Sequence, residues 1–104
     1  MTLEIKEGEF TAAVAEGLTL VDFYAEWCRP CAMQSKILAE EVEPARPALK
    51  IAKIDIDACP ALAAEHGILS IPALRLYRDG KAVASFDGLT EAAELLAAID
   101  KAGR

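Results

Sequence analysis

Two cysteines three positions apart are the residues of this 104-residue chain with the clearest capacity for chemistry. Cys28 and Cys31 enclose Arg29 and Pro30 in the stretch AEWCRPCAM. Such a pair can hold a metal, form a structural disulfide or exchange disulfides with other proteins. The third cysteine, Cys59, makes the total odd and small, which fits cytosolic redox or metal chemistry better than a secreted disulfide framework.

The chain on either side of the pair predicts a strand before it and a helix after it. Residues 18–25 are almost continuously apolar and rich in β-branched and aromatic types, which predicts a strand buried on both faces. Apolar residues then recur with helical spacing over 31–43. Cys28 therefore falls near a helix N-terminus, where free N–H groups and the dipole favour the nucleophilic thiolate. Cys31, one turn into the helix, suits the resolving thiol.

The remaining chain alternates strands and helices before a hairpin. Asp79-Gly80 is a strong two-residue hairpin signal, and Thr90 is the predicted N-cap of a last helix that ends at Gly103. This order predicts an α/β domain over 1–104, with a mixed sheet and helices on both faces. The other predicted elements are a strand at 3–5, helices at 9–16 and 61–66, and strands at 49–56, 73–77 and 82–86.

Composition and charge exclude several classes of protein. The chain is 54% hydrophobic and 27% charged, which argues against disorder and low complexity. With 17 acidic and 11 basic residues, its net charge of -6 argues against nucleic-acid binding. The first ten residues resemble neither a signal peptide nor a membrane span. We therefore expect a cytoplasmic monomer without a membrane partner.

Asp22 interrupts the apolar strand that precedes the cysteines. A carboxylate buried without a partner is costly, so its pKa rises toward physiological pH and it becomes a usable acid or base. An exposed strand carboxylate is the alternative, because neighbouring residues do not determine which face is buried.

The whole pattern resembles the thioredoxin family. The motifs VDFYAEWCRPC, KIDID, SIPA and YRDGK and the glycine Gly88 follow the order and spacing of that family along essentially the entire chain. The resemblance implies a thioredoxin fold, with a central mixed five-stranded sheet flanked by four helices. It also implies a protein-disulfide reductase with no bound cofactor and no metal, recharged by a flavin-dependent thioredoxin reductase that uses NADPH.

The same resemblance implies roles for residues outside the cysteine pair. Asp22 would lie behind Cys31 and accept its proton. Lys53 would lie close to Asp22 and tune it, and a plain surface lysine is the alternative. Pro72 would be the family's cis-proline, although the residues alone leave the isomer open.

A substrate surface is implied by the resemblance as well. The backbone of Ser70 and Ile71 would bind an extended peptide as an added strand. An apolar rim around Cys28 would receive the partner, and for Trp27 a place in the core is the alternative. The implied rim residues are Trp27, Pro30, Ile71 and Gly88. Arg29, between the two cysteines, is a further candidate for substrate binding.

The sequence departs from the family pattern at three positions. Arg29 stands where most thioredoxins have glycine, and Ala32 where they have lysine. A guanidinium between the thiols would favour the Cys28 thiolate and make the reduction potential more oxidising. The alternative function is therefore that of an oxidase or isomerase with a dedicated reductase. Alternatively, Arg29 only shapes partner contacts. Lys36 replaces a proline that kinks the long helix, so we expect a straighter helix.

Two residues leave other interpretations open. Cys59, before Pro60 at a helix start, is either a regulatory thiol open to glutathionylation or a small residue without a role. His66, at a predicted helix end, most simply interacts with the helix dipole. Together with Cys28 and Cys31 they could form a Cys₃His zinc site in a binding module. A non-catalytic scaffold is a further alternative.

Overall fold

The computed structural model describes residues 1–103, which form a five-stranded mixed sheet with helices on both faces. The strand order is β1-β3-β2-β4-β5. β1 and β2 both run parallel to β3, whereas β4 is antiparallel to β2 and to β5. The predicted mixed sheet is therefore confirmed. The strands are β1 (Thr2–Glu4), β2 (Leu18–Tyr24), β3 (Lys50–Asp55), β4 (Ala73–Arg78) and β5 (Lys81–Asp87).

Within residues 1–103, four helical units cover the sheet, as expected. A 3₁₀ turn at Glu7–Glu9 leads into the first unit. The second unit continues through π-helical residues Leu38–Val42 into Glu43–Ala45 without a break. No helix among residues 1–103 is long and apolar enough to cross a membrane. The helices are α1 (Phe10–Val14), α2 (Arg29–Ile37), α3 (Glu43–Ala45), α4 (Pro60–Glu65) and α5 (Ala92–Ala102).

The central strand β2 is buried on both faces because helices lie above and below it. Successive side chains of a strand point to opposite faces. Val21 and Phe23 pack in an apolar cluster with residues of α1 and α4. Leu20 packs in a second cluster with residues of the α2–α3 helix and of α5. Asp22 shares the face of Leu20, so its carboxyl group lies beneath the helix that begins at the cysteines.

The long helix is not a regular α-helix along its whole length, and the straighter course expected from Lys36 stays a prediction. The N–H of Leu38 donates to the carbonyls of both Gln34 and Ser35, and π-helical hydrogen bonding follows over Leu38–Val42. A π-helical segment interrupts the regular α-helical ladder two residues before Pro44, which has no N–H to donate within the helix. Its end residues, Leu38 and Val42, are both buried in the core.

The predicted cap of the last helix is wrong. Glu91, with φ −74° and ψ 154°, is the N-cap residue of α5, and its side chain makes no capping hydrogen bond. Thr90 is buried one position earlier, and its hydroxyl donates to the carbonyl of Gly88 at 3.0 Å. The threonine therefore builds the loop before the helix instead of capping the helix.

The predicted hairpin between β4 and β5 is confirmed. Asp79 and Gly80 both have positive φ, at 49° and 85°. Two such residues match the right-handed twist of the flanking strands.

Candidate active site

Cys28 occupies the junction between the central strand and the long helix. It is the N-cap residue of α2, with extended backbone angles, and its sulfur accepts a hydrogen bond from the N–H of Cys31 at 3.2 Å. Arg29 and Pro30 follow as the first two helical residues. Proline is tolerated there because the first turn has no intrahelical partner for its missing N–H. The predicted place of Cys28 at a helix N-terminus is confirmed.

The two cysteines of the motif are joined in a disulfide. Their Cα atoms lie 5.2 Å apart, as bridged cysteines require. Cys28 is 6% exposed and Cys31 only 1%. An incoming thiol therefore reaches the Cys28 sulfur more readily than the Cys31 sulfur.

Asp22 is fully buried beneath the helix of the disulfide. Neither of its carboxyl oxygens has a hydrogen-bond partner among residues 1–103. Burial raises the pKa of Asp22 from 3.8 to about 7, an effect that the Lys53 charge opposes and the Glu4 charge reinforces. The predicted burial of Asp22 is confirmed, and both of its protonation states are accessible near neutral pH.

Lys53 lies beside Asp22 in the register of β2 and β3. Its ammonium donates to Ser35 Oγ of α2 at 2.9 Å and lies 4.4 Å from the centroid of the Tyr24 ring. Within the described part of the chain, Lys53 makes no ion pair with Asp22, so it acts on the pKa of Asp22 through space. The half-buried Lys53 is therefore not a plain surface lysine. The sequence offered no sign of its contact with Ser35.

Pro72 is buried immediately before β4, and the Ile71–Pro72 peptide bond is cis. Ile71 packs against the cluster that contains Cys28 and Cys31. Ser70, one residue earlier, is exposed. The structure thus brings this loop and the disulfide together, as the resemblance implied.

An open cavity of about 460 Å³ borders Cys28 on the side of this loop. Trp27 is 71% exposed and donates its indole N–H to Asp57 at 2.8 Å, so the alternative of a core tryptophan is wrong. Leu69 is 98% exposed, and sequence reasoning missed it although it directly precedes the SIPA motif. The residues lining this cavity include Trp27, Arg29, Pro30, Leu69, Ser70 and Ile71.

The structure does not place Gly88 in the lining of this cavity, unlike the other rim residues that the resemblance implied. Its N–H instead donates to the carbonyl of Pro72 at 2.8 Å. Its φ of 88° is a conformation that residues with a side chain rarely adopt. The structure therefore ties the loop after β5 to the loop before β4.

Gln34 is the second residue near the site that sequence reasoning missed. It is completely buried on α2, one turn after Cys31, and hydrogen-bonds the backbone of Thr90. Met33, one of the apolar residues that recur with helical spacing in this helix, is by contrast 52% exposed. The spacing of Cys31, Gln34 and Leu38 along one helix face was the available signal, but a glutamine does not reveal burial by its type.

The position of Cys59 does not suit a regulatory thiol, because the residue is buried. It is 3% exposed, belongs to the apolar cluster that includes Ile5 and Leu62, and makes no side-chain capping bond at the start of α4. Burial, reinforced by the charge of Glu7, raises the pKa of Cys59. A buried thiol that stays protonated is inert, so the alternative of a small residue without a redox role fits better.

The structure also fails to support the zinc alternative. The ring of His66 lies 4.5 Å from the ring of Phe10, centroid to centroid, and its Nδ1 lies 2.9 Å from the carbonyl of Leu62. The histidine thus sits at the end of α4, as predicted, and packs among aromatic rings. Across residues 1–103, no three histidine, cysteine or acidic side chains are grouped to hold a metal ion.

These features define a class of protein. The disulfide lies at the start of a helix, with a cis-proline loop beside it and a buried carboxyl group beneath it. This arrangement is suited to thiol-disulfide exchange, in which a pair of thiols reduces the disulfide of another molecule. The fold and the site are those of a thiol-disulfide oxidoreductase.

Comparisons with known proteins agree with this class. The family model described as thioredoxin matches residues 1–101. A thioredoxin of Chlamydia muridarum is 42% identical over 97 residues, covering 93% of this chain and 94% of the relative. A thioredoxin of Listeria monocytogenes is 40% identical over 101 residues, covering 97% and 98%. The chain belongs to the thioredoxin family.

Solved structures give the same result. A mutant thioredoxin from Halobacterium salinarum superimposes with a TM-score of 0.89 at 30% identity, covering 99% of this chain and 91% of that chain. A thioredoxin of Malassezia sympodialis has a TM-score of 0.85 at 25% identity, with 99% and 94% covered.

Proposed function

We propose that this protein reduces disulfide bonds in other proteins and passes the electrons through the Cys28–Cys31 pair. The observation that carries the proposal is the disulfide at the start of α2, with its more exposed sulfur facing an open cavity. Membership of the thioredoxin family supports the same activity.

The first step is attack by the reduced Cys28. The N-terminus of α2 stabilises the thiolate through its free N–H groups and its dipole. The thiolate attacks one sulfur of a substrate disulfide, a mixed disulfide forms, and the other substrate sulfur leaves as a thiolate that takes a proton from water.

The second step is release of the substrate by Cys31. Its thiol transfers a proton to the Asp22 carboxylate, and the resulting thiolate attacks the Cys28 sulfur. The substrate leaves with both sulfurs reduced, and two electrons have moved from the dithiol of the protein to the substrate. An Asp22 pKa of about 7 suits it to accept a proton at neutral pH. Lys53, held by Ser35, opposes the raised pKa and so tunes this base.

Substrate binding falls to the cavity beside Cys28. Ser70 is exposed and Ile71 is half-buried, and their backbone, before the buried Pro72, offers an edge for an extended peptide. Trp27, Arg29 and Pro30 line the same cavity. An apolar surface of this kind accepts many protein sequences because backbone contacts carry most of the binding.

Recycling needs a reductant that converts the disulfide back to the dithiol. We propose a flavin-dependent thioredoxin reductase that uses NADPH, a cytoplasmic location and a monomeric state, because these follow from membership of the family. Neither nucleic acid nor a membrane is expected as a partner, since the net charge is -6. No observation favours the oxidase, isomerase, zinc-binding or scaffold alternatives.

Insulin reduction coupled to NADPH oxidation, with a panel of thioredoxin reductases, tests activity and recycling together. Robust turnover with one reductase is the expected result. The Cys31→Ser variant should trap substrates as mixed disulfides on Cys28, because the resolving thiol is missing. Failure of the unmodified protein to reduce insulin, even with dithiothreitol as reductant, would overturn the proposal.

A further inference from the structure

A buried glutamine joins the active-site helix to a distant loop. Gln34 Nε2 donates to the carbonyl of Thr90 at 3.0 Å, and Gln34 Oε1 accepts from the N–H of Thr90 at 2.8 Å. The two residues are 56 positions apart in the chain. One side chain therefore satisfies both backbone groups of one loop residue, as a neighbouring strand would.

The loop held in this way is itself connected to the cis-proline. The Thr90 hydroxyl donates to the carbonyl of Gly88 at 3.0 Å, and the N–H of Gly88 donates to the carbonyl of Pro72 at 2.8 Å. A continuous series of hydrogen bonds thus runs from α2, the helix that begins at Cys28, to the proposed peptide-binding edge.

Packing alone does not account for a glutamine at this position. Cys31 and Leu38, its neighbours along the buried face of the helix, are apolar, and all three are at most 3% exposed. An unbranched apolar side chain would fill a similar volume. It would leave the N–H and carbonyl of the buried Thr90 without these partners, which is costly in the interior.

We propose that Gln34 is a positioning residue that fixes residues 88–90 against α2 and thereby holds the peptide-binding edge at Pro72 in its place beside Cys28. The inference rests on the proposed reduction of protein disulfides. Gln34 touches no reacting atom, so its effect is on the docking of a protein substrate and not on exchange at the sulfur. A small disulfide, which needs no docking edge, should react independently of it.

Two variants separate docking from chemistry. Gln34→Met removes both hydrogen bonds with little change in length, whereas Leu38→Met is a matched control on the same buried face. With dithiothreitol as reductant, we expect Gln34→Met to raise KM for insulin by about tenfold, because the loop must be ordered during binding. The kcat for insulin and the rate with hydroxyethyl disulfide should stay within about twofold of the unmodified protein, and so should all values for Leu38→Met.

An unchanged KM for Gln34→Met, or an equal loss with insulin and hydroxyethyl disulfide, would overturn the inference. Failure of the proposed function is a different result, because the unmodified protein would then not reduce insulin.

Amide hydrogen exchange of the unmodified protein gives a second test that does not depend on a variant folding. The Thr90 and Gly88 amides should exchange at least about a hundredfold more slowly than unprotected amides. Exchange at the unprotected rate would show that the loop is not held and would overturn the inference as well.

Discussion

Cys28 and Cys59 occupy equivalent places in the fold and differ in almost every chemical respect. Each is the N-cap residue of a helix that follows one of the two adjacent parallel strands β2 and β3, and each helix has proline in its first turn. They are 6% and 3% exposed. Neither helix position nor burial therefore distinguishes the redox cysteine from the inert one.

The difference lies in what each sulfur faces. The Cys28 sulfur accepts a hydrogen bond from the N–H of Cys31 and forms a disulfide with the Cys31 sulfur. Cys28 also borders an open cavity. The Cys59 side chain makes no capping hydrogen bond and packs in the apolar cluster. Burial raises the pKa of Cys59, and the charge of Glu7 raises it further. A helix N-terminus activates a thiol only when the sulfur points at the free N–H groups and a partner can reach it.

Substitution of each cysteine is the most direct way to break this comparison. We expect Cys28→Ser to lower insulin reduction by at least about 10³-fold, because the hydroxyl is a poor nucleophile at neutral pH. Cys59→Ala should retain activity within about twofold, since the thiol takes no part in exchange. Steady-state insulin reduction measures both, and a comparable loss in the two variants would contradict the distinction.

A second large effect is expected for the pH dependence of stability, because Asp22 is buried beneath the active-site disulfide. The pKa of Asp22 is raised from 3.8 to about 7 in the folded protein, so the native state binds a proton that the unfolded chain releases. Stability is therefore lost as the pH rises from about 4 to about 7, by about 4 kcal/mol in total. Asp22→Asn removes this dependence and should make the oxidised protein more stable at pH 8.

Urea unfolding of the oxidised protein at pH 4 and pH 8 measures this effect. Glu7→Gln, beside Cys59, is the matched control and should leave the pH dependence over this range nearly unchanged. A gain in stability from Asp22→Asn that is the same at both pH values would contradict the assignment. The same variant should slow substrate release by Cys31 by about tenfold or more at pH 7, because the proton acceptor is missing.

Alkylation sharpens the comparison without any substitution. In the reduced protein at pH 7, iodoacetamide should modify Cys28 at least about a hundredfold faster than Cys59, because the pKa of the buried Cys59 is raised and its sulfur is enclosed. Peptide mass spectrometry over a time course gives both rates. Similar rates would show that Cys59 is accessible after all.

Arg29 gives the smallest expected effect. It is exposed and lines the cavity that Cys28 borders. Its charge should favour the Cys28 thiolate, so Arg29→Gly should lower the reduction potential by at most about 30 mV, since water and salt screen an exposed charge. Equilibration with glutathione buffers measures the change, and Arg29→Lys, which keeps the charge, is the control. An equal or higher potential in Arg29→Gly would contradict the hypothesis.

Local patterns predicted the site best where its geometry is local. Cys28 and Cys31 are three residues apart at the start of one helix, so the apolar strand before them and the helical spacing after them were enough to predict their arrangement. The Asp79-Gly80 hairpin was predicted for the same reason. The prediction of a buried Asp22 needed one further assumption, that helices cover both faces of the sheet.

The errors occurred where a distant contact decides the outcome. Thr90 has the side chain of a helix cap, but its backbone is engaged by Gln34 and its hydroxyl by Gly88. A pattern read along the chain contains no information about such partners.

The sequence by itself determined the class of chemistry, because the order of strand, Cys-Arg-Pro-Cys and helix sets the two thiols at a helix N-terminus through neighbouring residues alone. Only the tertiary structure decided which cysteine stays inert and which polar residues are buried. Cys59 is unreactive because it is packed in an apolar cluster of the core, and Gln34 hydrogen-bonds the backbone of a residue 56 positions away. Burial and long-range hydrogen bonds arise from packing between elements, so no local pattern can express them.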